Sequence, residues 1–272
     1  MEKFDVIVIG SGPAGEKAAA QAAYFEKKVL LIEKEVVVGG AMVNTGTIPS
    51  KTLRETSIFF SGKIHRGMYG VDKRIDRQIT VQDLMFRKNF IVSNEIAIIN
   101  ANLAKHKVKQ VRGIAYFIDE HTIGVEGTEE KYHGDFILIA VGSTPFRPGS
   151  IPFEEEQVYD SDEILLMEKI PGSMVIIGAG VIGCEYACMF AALGIDVTLV
   201  DFEKPFGRFL SGPDTLGQIG PDAIAVEHGA FLVLERNKNR HGQPFHDSSI
   251  AAANQSEPIK ARRGRSPDVS TI

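Results

Sequence analysis

The chain has 272 residues, 44% of them hydrophobic, with 30 basic against 35 acidic side chains and a net charge of −5. That length fits about two domains with buried cores, and the near-balanced charge excludes a polyelectrolyte attraction to nucleic acid or to an anionic membrane surface. Two cysteines, Cys184 and Cys188, exclude a disulfide framework, and with no long apolar run and no basic start at Met1–Asp5 the expected location is the cytoplasm.

The first predicted element is a β-branched strand, Val6–Ile9, which stops at Gly10-Ser11-Gly12-Pro13-Ala14-Gly15 and continues as an alanine-rich helix over Glu16–Ala23. Strand, G-x-G-x-x-G and helix together are the phosphate-binding turn of a dinucleotide-binding unit. Gly10 makes the tight turn, Gly12 admits a pyrophosphate to the backbone, and Gly15 lets helix and strand pack closely. The helix N-terminus then faces the negative charge with free N–H groups and a favourable dipole. A second strand, Val29–Ile32, ends at Glu33, eighteen residues after Gly15, where a carboxylate can accept from a ribose hydroxyl. Lys34 follows it.

Next comes a glycine pair, Gly39-Gly40, a loop, and Gly46-Thr47-Ile48-Pro49-Ser50-Lys51 opening a helix that the pattern carries from Thr52 to about His65. This segment resembles the flavin-facing stretch of the flavin-dependent pyridine nucleotide-disulfide oxidoreductases, which include lipoamide dehydrogenase and glutathione reductase. In that family the segment carries a C-x-x-x-x-C disulfide. The two matching positions here are Met42 and Thr47, and neither a thioether nor a hydroxyl can form a thiolate or a disulfide. The run Asn44–Glu55 is similar to the disulfide-free branch of the family, the soluble, Si-specific pyridine nucleotide transhydrogenases, although Met42 departs from the cysteine that this branch often keeps at that position. The resemblance implies FAD as cofactor, NAD(P) as substrate, Lys51 as a cation touching the flavin and Thr47 as a hydroxyl beside it. A dihydrolipoyl dehydrogenase-like disulfide reductase is the alternative, and a non-catalytic FAD- or NAD-binding remnant is another.

Gly67–Asp76 reads as a polar loop. Thr80-Val81-Gln82-Asp83 reads as a capping box that starts a long helix to about Lys105. Short strands follow over Val108–Val111, Ile114–Ile118, Thr122–Val125 and Phe136–Ile139. The resemblance makes them the β-meander of the flavin domain, with Gly113 and Ala115 over the adenosine end and Ala140, Gly142 and Ser143 in the closing turn. His65, His106, His121 and His133 have no partner at ligand spacing and read as exposed, so no metal site is expected. A short helix is expected over Ser161–Met167, capped by Ser161.

The opening motif then recurs. Met174–Ile177 leads through Gly178-Ala179-Gly180-Val181-Ile182-Gly183 into Cys184–Leu193, and a strand Val197–Val200 ends at Asp201. Gly10 and Gly178, like Glu33 and Asp201, are 168 residues apart, so the chain carries two dinucleotide fingerprints in one register. By the resemblance, the first binds FAD and the second the nicotinamide nucleotide, with Gly178, Gly180, Val181, Ile182 and Gly183 as its turn. Glu185 matches an acid that stands beside the nicotinamide and pairs with the lysine matching Lys51. A carboxylate at Asp201 favours NAD, since it accepts from a 2′-hydroxyl and repels a 2′-phosphate. Cys184 and Cys188 share a helix face and read as small buried packing residues.

The resemblance covers about residues 3 to 210. Beyond it only Ala225–Glu235 reads as an ordinary element, and 236–272 reads as disordered, its basic cluster offset by acids only when the whole run from 211 onward is taken. The expected architecture is α/β: a first FAD-binding segment over 1–150, a parallel sheet with a β-meander insertion; the start of an NAD(P)-binding Rossmann unit over 151–210; and an atypical tail over 211–272. Family members are longer and end in a dimer-interface domain, so the chain is expected to be a C-terminally truncated form of a homo-oligomeric parent, to hold FAD weakly or not at all, and to show no measurable transhydrogenation by itself.

Overall fold

The structure is a computed structural model, and it describes residues 1–62, 79–149, 151–200, 208–209 and 232–235. Asp201, His65, the 67–76 loop and nearly all of the tail lie outside the described residues.

The alternation of apolar residues in the first two strands decides the first layer. β1 (Glu2–Ile9) and β2 (Val29–Glu33) pair in parallel, Val8 opposite Leu31 and Ile7 opposite Leu30. Because strand side chains alternate between faces, Val8, Val29 and Leu31 face one way with Val43, Ile99 and Leu103, whereas Ile7, Leu30 and Ile32 face the other way with Ile123, Val125 and Tyr132. Each fully buried Ile, Leu or Val there contributes about 1.5–3 kcal/mol.

The sheet has six strands. β3 (Lys109–Arg112) extends it in parallel beyond β2, and β6 (Lys131–Ile139) runs parallel to β1 on the other side. β5 (Thr122–Val125) and β4 (Ala115–Asp119) continue it antiparallel, so the order is β3-β2-β1-β6-β5-β4. The meander is thus part of the same sheet, and β6 begins five residues earlier than the Phe136 that hydropathy alone marks. Its first half alternates, with Tyr132 buried and Lys131 exposed, which hides it from a search for apolar runs.

Helix boundaries follow local chemistry. α1 (Pro13–Tyr24) starts at Pro13, whose missing N–H is an orphan of the first turn anyway. α2 (Gly40–Asn44) is short, and α3 (Thr47–Phe60) begins five residues before the expected Thr52, because Pro49 sits within a first turn that needs no N–H from it. α3 stops at Ser61, and Gly62 follows at φ +70°. α4 (Val81–Lys105) has the expected capping box: the Asp83 N–H donates to the Thr80 hydroxyl at 3.2 Å, and the Thr80 N–H donates to the Asp83 carboxylate at 3.0 Å. Glu16, buried in α1, accepts from the Asn102 amide at 2.9 Å and ties α1 to α4.

A second sheet has the order β10-β9-β8-β11-β7: β7 (Val158–Tyr159), β8 (Ser173–Ile177), β9 (Asp196–Val200), β10 (Arg208–Phe209) and β11 (Leu232–Glu235). β8 and β9 are parallel and are joined through α5 (Val181–Ala192). β11 lies antiparallel between β8 and β7, and falls within the one tail stretch, Ala225–Glu235, in which an element was expected. The core beneath this sheet is shared: Leu53 of α3 and Leu84 and Met85 of α4 pack with Met174, Ile176, Tyr186, Phe190 and Leu199.

In place of a helix capped by Ser161, a single 3-10 turn spans Glu163–Leu166, and Asp160 caps it, its Oδ1 accepting from the N–H groups of Asp162 at 2.9 Å and Glu163 at 2.8 Å. A carboxylate accepts charge-assisted hydrogen bonds that a serine hydroxyl matches less well.

Candidate functional site

The two glycine turns have the same geometry. Gly10 and Gly178 lie at φ +99° and +103°, a region favourable only to glycine, and their N–H groups donate to Ile32 O and Val200 O, each at 2.8 Å. Gly12 and Gly180 are the N-cap residues of α1 and α5, and neither helix has a side-chain cap. A Cβ on Gly15 would meet the carbonyl oxygen of Gly10, and one on Gly183 that of Gly178, so each helix crosses its strand where only glycine fits. The helices occupy equivalent residues, 13–24 and 181–192, at the 168-residue repeat.

The first turn fits a pyrophosphate. Among the described residues a Cβ added to Gly12 would meet only the Cα of Gly40, at 4.0 Å, and Pro13 and Ala14 beside it are exposed. Gly40, at φ +56°, closes the same space from α2. Uncapped N–H groups around an open glycine suit a ligand that brings its own negative charge.

Glu33 is more anchored than a free ribose acceptor. Its Oε2 accepts from the Ser11 N–H at 2.7 Å and the Ser11 hydroxyl at 2.6 Å, and its Oε1 from the Glu35 N–H at 2.9 Å. Burial raises its pKa, but the hydrogen bonds from Glu35 and Ser11 outweigh that and hold the carboxyl below the ordinary range. Its oxygens keep spare lone pairs. Lys34 next to it is exposed and pairs with Glu35 at 3.7 Å. At the sheet end the Gly113 N–H donates to Glu33 O at 2.8 Å, Ala115 begins β4, and Ala140 donates to Ile9 O at 2.8 Å before Gly142 (φ +69°) and exposed Ser143.

A cavity of about 330 Å³ brings the two halves together. Thr47 and Lys51 of α3, Ser143 of the closing turn, and Ile182 and Glu185 of α5 all line it. Among the described residues Lys51 and Glu185 form no ion pair within 4.0 Å; the two charges line one cavity, Lys51 from α3 and Glu185 from α5. Sequence reasoning missed three further residues. Asp162 and Thr45 line the same cavity; burial raises the pKa of Asp162, opposed by a hydrogen bond from Thr45. Tyr186 lines it too, its phenol pushed above the ordinary range by burial, with its hydroxyl 3.4 Å from Ser161 O.

Asp162 is held by its neighbours. Arg147 donates through Nε to Asp160 at 2.8 Å and also pairs with Glu163, clamping the turn from which Asp162 projects. The signal available in sequence was the acidic cluster Asp160-Ser161-Asp162-Glu163 beside Arg147, which carries no spacing rule of its own.

Cys184 and Cys188 are half-buried rather than fully packed, and line a separate cavity of about 240 Å³ with Arg54, Ser57 and Glu185. Burial pushes the Cys188 thiol up to about 11. Met42 is half-buried against the first core and Thr47 opens α3, so the flavin-facing positions hold no thiol. His121 and His133, expected to stand apart, lie with ring centroids 5.7 Å apart because β5 and β6 pair across them. No group of three or more His, Cys, Asp or Glu side chains among the described residues is arranged to hold a metal ion. Likewise, among the described residues no helix is long and apolar enough to cross a membrane.

Two equivalent glycine turns, each between a parallel strand pair and a helix, define a protein with two dinucleotide-type sites on α/β layers. The chain belongs to the pyridine nucleotide-disulphide oxidoreductase family, whose model matches residues 4–212. It is 45% identical over 205 residues to a soluble pyridine nucleotide transhydrogenase of Mycobacterium bovis (strain BCG / Pasteur 1173P2), covering 74% of this chain and 44% of that protein. It is 38% identical over 238 residues to a protein of the same name from Colwellia psychrerythraea (strain 34H / ATCC BAA-681), covering 84% and 51%. Among solved structures, the HOCl-induced flavoprotein disulfide reductase RclA from Escherichia coli matches with a TM-score of 0.61 and 30% identity over 72% of this chain and 41% of that one. The chain therefore spans about half the length of the curated relatives it matches.

Proposed function

We propose that this chain carries the flavin and nicotinamide sites of a soluble pyridine nucleotide transhydrogenase, with FAD on the first glycine turn and NAD(P) on the second, and hydride passing between NADPH and NAD by way of the flavin. The observation that carries this is the shared cavity: residues from the first unit, Thr47 and Lys51, face residues from the second, Ile182 and Glu185, across one space. When bound, the flavin supplies the hydride acceptor and donor.

The protein's own part is position and field. Lys51 supplies a fixed positive charge on one wall and Glu185 a negative one on the other, Thr47 a hydroxyl, and Ser143 and Gly142 the turn that closes the pocket. The names of the relatives support the nucleotide pair as substrates, and so does the absence of thiols at Met42 and Thr47, because a disulfide reductase relays electrons through a dithiol there. Domain limits near 150 and 210, a cytoplasmic setting and a homo-oligomeric assembly complete the proposal.

For the 272-residue chain by itself, low activity is expected. Val181 is 72% exposed and Ile182 48% among the described residues, so the rim that would press a nicotinamide onto a flavin is open. Hydride transfer needs reacting atoms held about 3–3.5 Å apart. The test mixes the purified chain with FAD, NADPH and either a thio-analogue of NAD or lipoamide. Any protein-dependent oxidation of NADPH should go to the analogue and none to the disulfide. Oxidation driven by lipoamide would overturn the assignment, and turnover above about 1 s⁻¹ with the analogue, within the ordinary enzyme range, would overturn the expectation of low activity.

A further inference from the structure

We propose that His121 and His133 form a binding site for a late first-row divalent cation, Cu(II) foremost, on the outer strands of the six-stranded sheet. None of its residues lines the cavity between Lys51 and Glu185, so it stands independently of the function proposed above.

The antiparallel register of β5 and β6 sets Thr122 opposite His133, which brings His121, one residue before β5, beside the His133 ring. The centroids are 5.7 Å apart and the planes tilted by 43°. An ion held about 2.0–2.1 Å from one nitrogen of each ring places the centroids about 5 Å apart at a tetrahedral angle and a little over 6 Å apart when linear. The observed separation lies between these limits.

The protonation pattern is also set. Nδ1 of His121 lies 3.0 Å from the carbonyl oxygen of Gly134. A carbonyl only accepts, so Nδ1 carries a proton, and in the neutral ring the lone pair is on Nε2. A backbone carbonyl fixing one ring nitrogen so that the other can ligate is the usual support of a metal-binding histidine. Nε2 of His133 is 3.8 Å from the Asp135 carboxylate, which can orient the ring. The turn before His121 is held by Asp119, which accepts from the His121 N–H at 2.9 Å.

Asp119, Glu120 and Asp135 lie close to the pair in sequence, while Lys3, in register with His133 on β1, and Lys131, two residues before His133 on the same face of β6, oppose a cation. Both rings reach solvent, so water completes the coordination. Two imidazoles with oxygen donors suit Cu(II) above Zn(II) in the general affinity order of divalent ions.

The test titrates the untagged full chain with Cu(II), followed by calorimetry and electron paramagnetic resonance. One equivalent should bind with nitrogen hyperfine structure from two imidazoles. His121→Gln and His133→Gln should each weaken binding at least tenfold and remove one nitrogen from the spectrum, whereas His106→Gln should leave both unchanged. Circular dichroism of the variants confirms that they fold. Unchanged binding in either His121→Gln or His133→Gln, or a parent chain that takes up no more Cu(II) than the double variant, would overturn the proposal.

Discussion

Glu33 accepts two hydrogen bonds from the single residue Ser11, from its N–H at 2.7 Å and its hydroxyl at 2.6 Å, and so locks the end of β2 to the first glycine turn. The carboxylate that marks a ribose site in sequence therefore also builds the turn over which the pyrophosphate would lie. Its pKa lies below the ordinary glutamate value because the hydrogen bonds from Glu35 and Ser11 outweigh burial. The stabilisation is present above the unfolded-state pKa and is lost as pH falls through the folded-state value. Glu33→Gln should lower stability by about 1–2 kcal/mol at pH 7, and the gap should close in acid. Urea melts of both proteins between pH 7 and pH 3 check this.

Asp162 should behave in the opposite sense. Burial raises its pKa, so its contribution is present below the unfolded value and is lost as pH rises through the folded one. Asp162→Asn should therefore raise the melting temperature at pH 7, with the gain disappearing in acid. Thermal scans at pH 7 and pH 4 measure it, and a variant that melts lower at pH 7 would show that Asp162 is held as a favourable charge.

Two glycine substitutions should differ sharply. A Cβ at Gly15 meets the Gly10 carbonyl, a backbone atom that cannot turn aside, while one at Gly142 meets nothing within 4 Å among the described residues and faces only the strain of φ +69°. Gly15→Ala should destabilise by more than about 3 kcal/mol and Gly142→Ala by about 1–2 kcal/mol. Denaturant midpoints of the two variants test the order.

Ser57 is 1% exposed and its hydroxyl has no hydrogen-bond partner among the described residues. An unsatisfied buried hydroxyl costs about 1–3 kcal/mol, so Ser57→Ala should stabilise the chain by up to about 1 kcal/mol once the small loss of packing is included. A lower denaturant midpoint would mean that the hydroxyl is satisfied in solution.

The glycine turns were legible in sequence because they are written in backbone constraints: Gly10 holds a positive φ and Gly15 has no room for a Cβ, and the same two requirements recur at Gly178 and Gly183. The Thr80–Asp83 box was legible because it is local. Asp162 and Thr45 were not, since they meet only when the 3-10 turn docks near α2 and α3. The first half of β6 was hidden by its alternating polarity, and the neighbouring placement of His121 and His133 by the fact that cross-strand register has no signature along the chain. The Lys51–Glu185 pairing rested on resemblance, and the side chains share a cavity without joining.

The central claim is that the first turn holds FAD, and nucleotide specificity tests it most directly. The purified chain is titrated into FAD and into FMN while flavin fluorescence is followed, and ADP is then added as competitor. FAD fluorescence should be quenched saturably and recover with ADP, because the turn holds a pyrophosphate and the adenosine half of the cofactor, and FMN should be unaffected at the same protein concentrations. Equal quenching of FMN, or FAD quenching that excess ADP leaves unchanged, would contradict the placement of the dinucleotide on Gly10–Gly15.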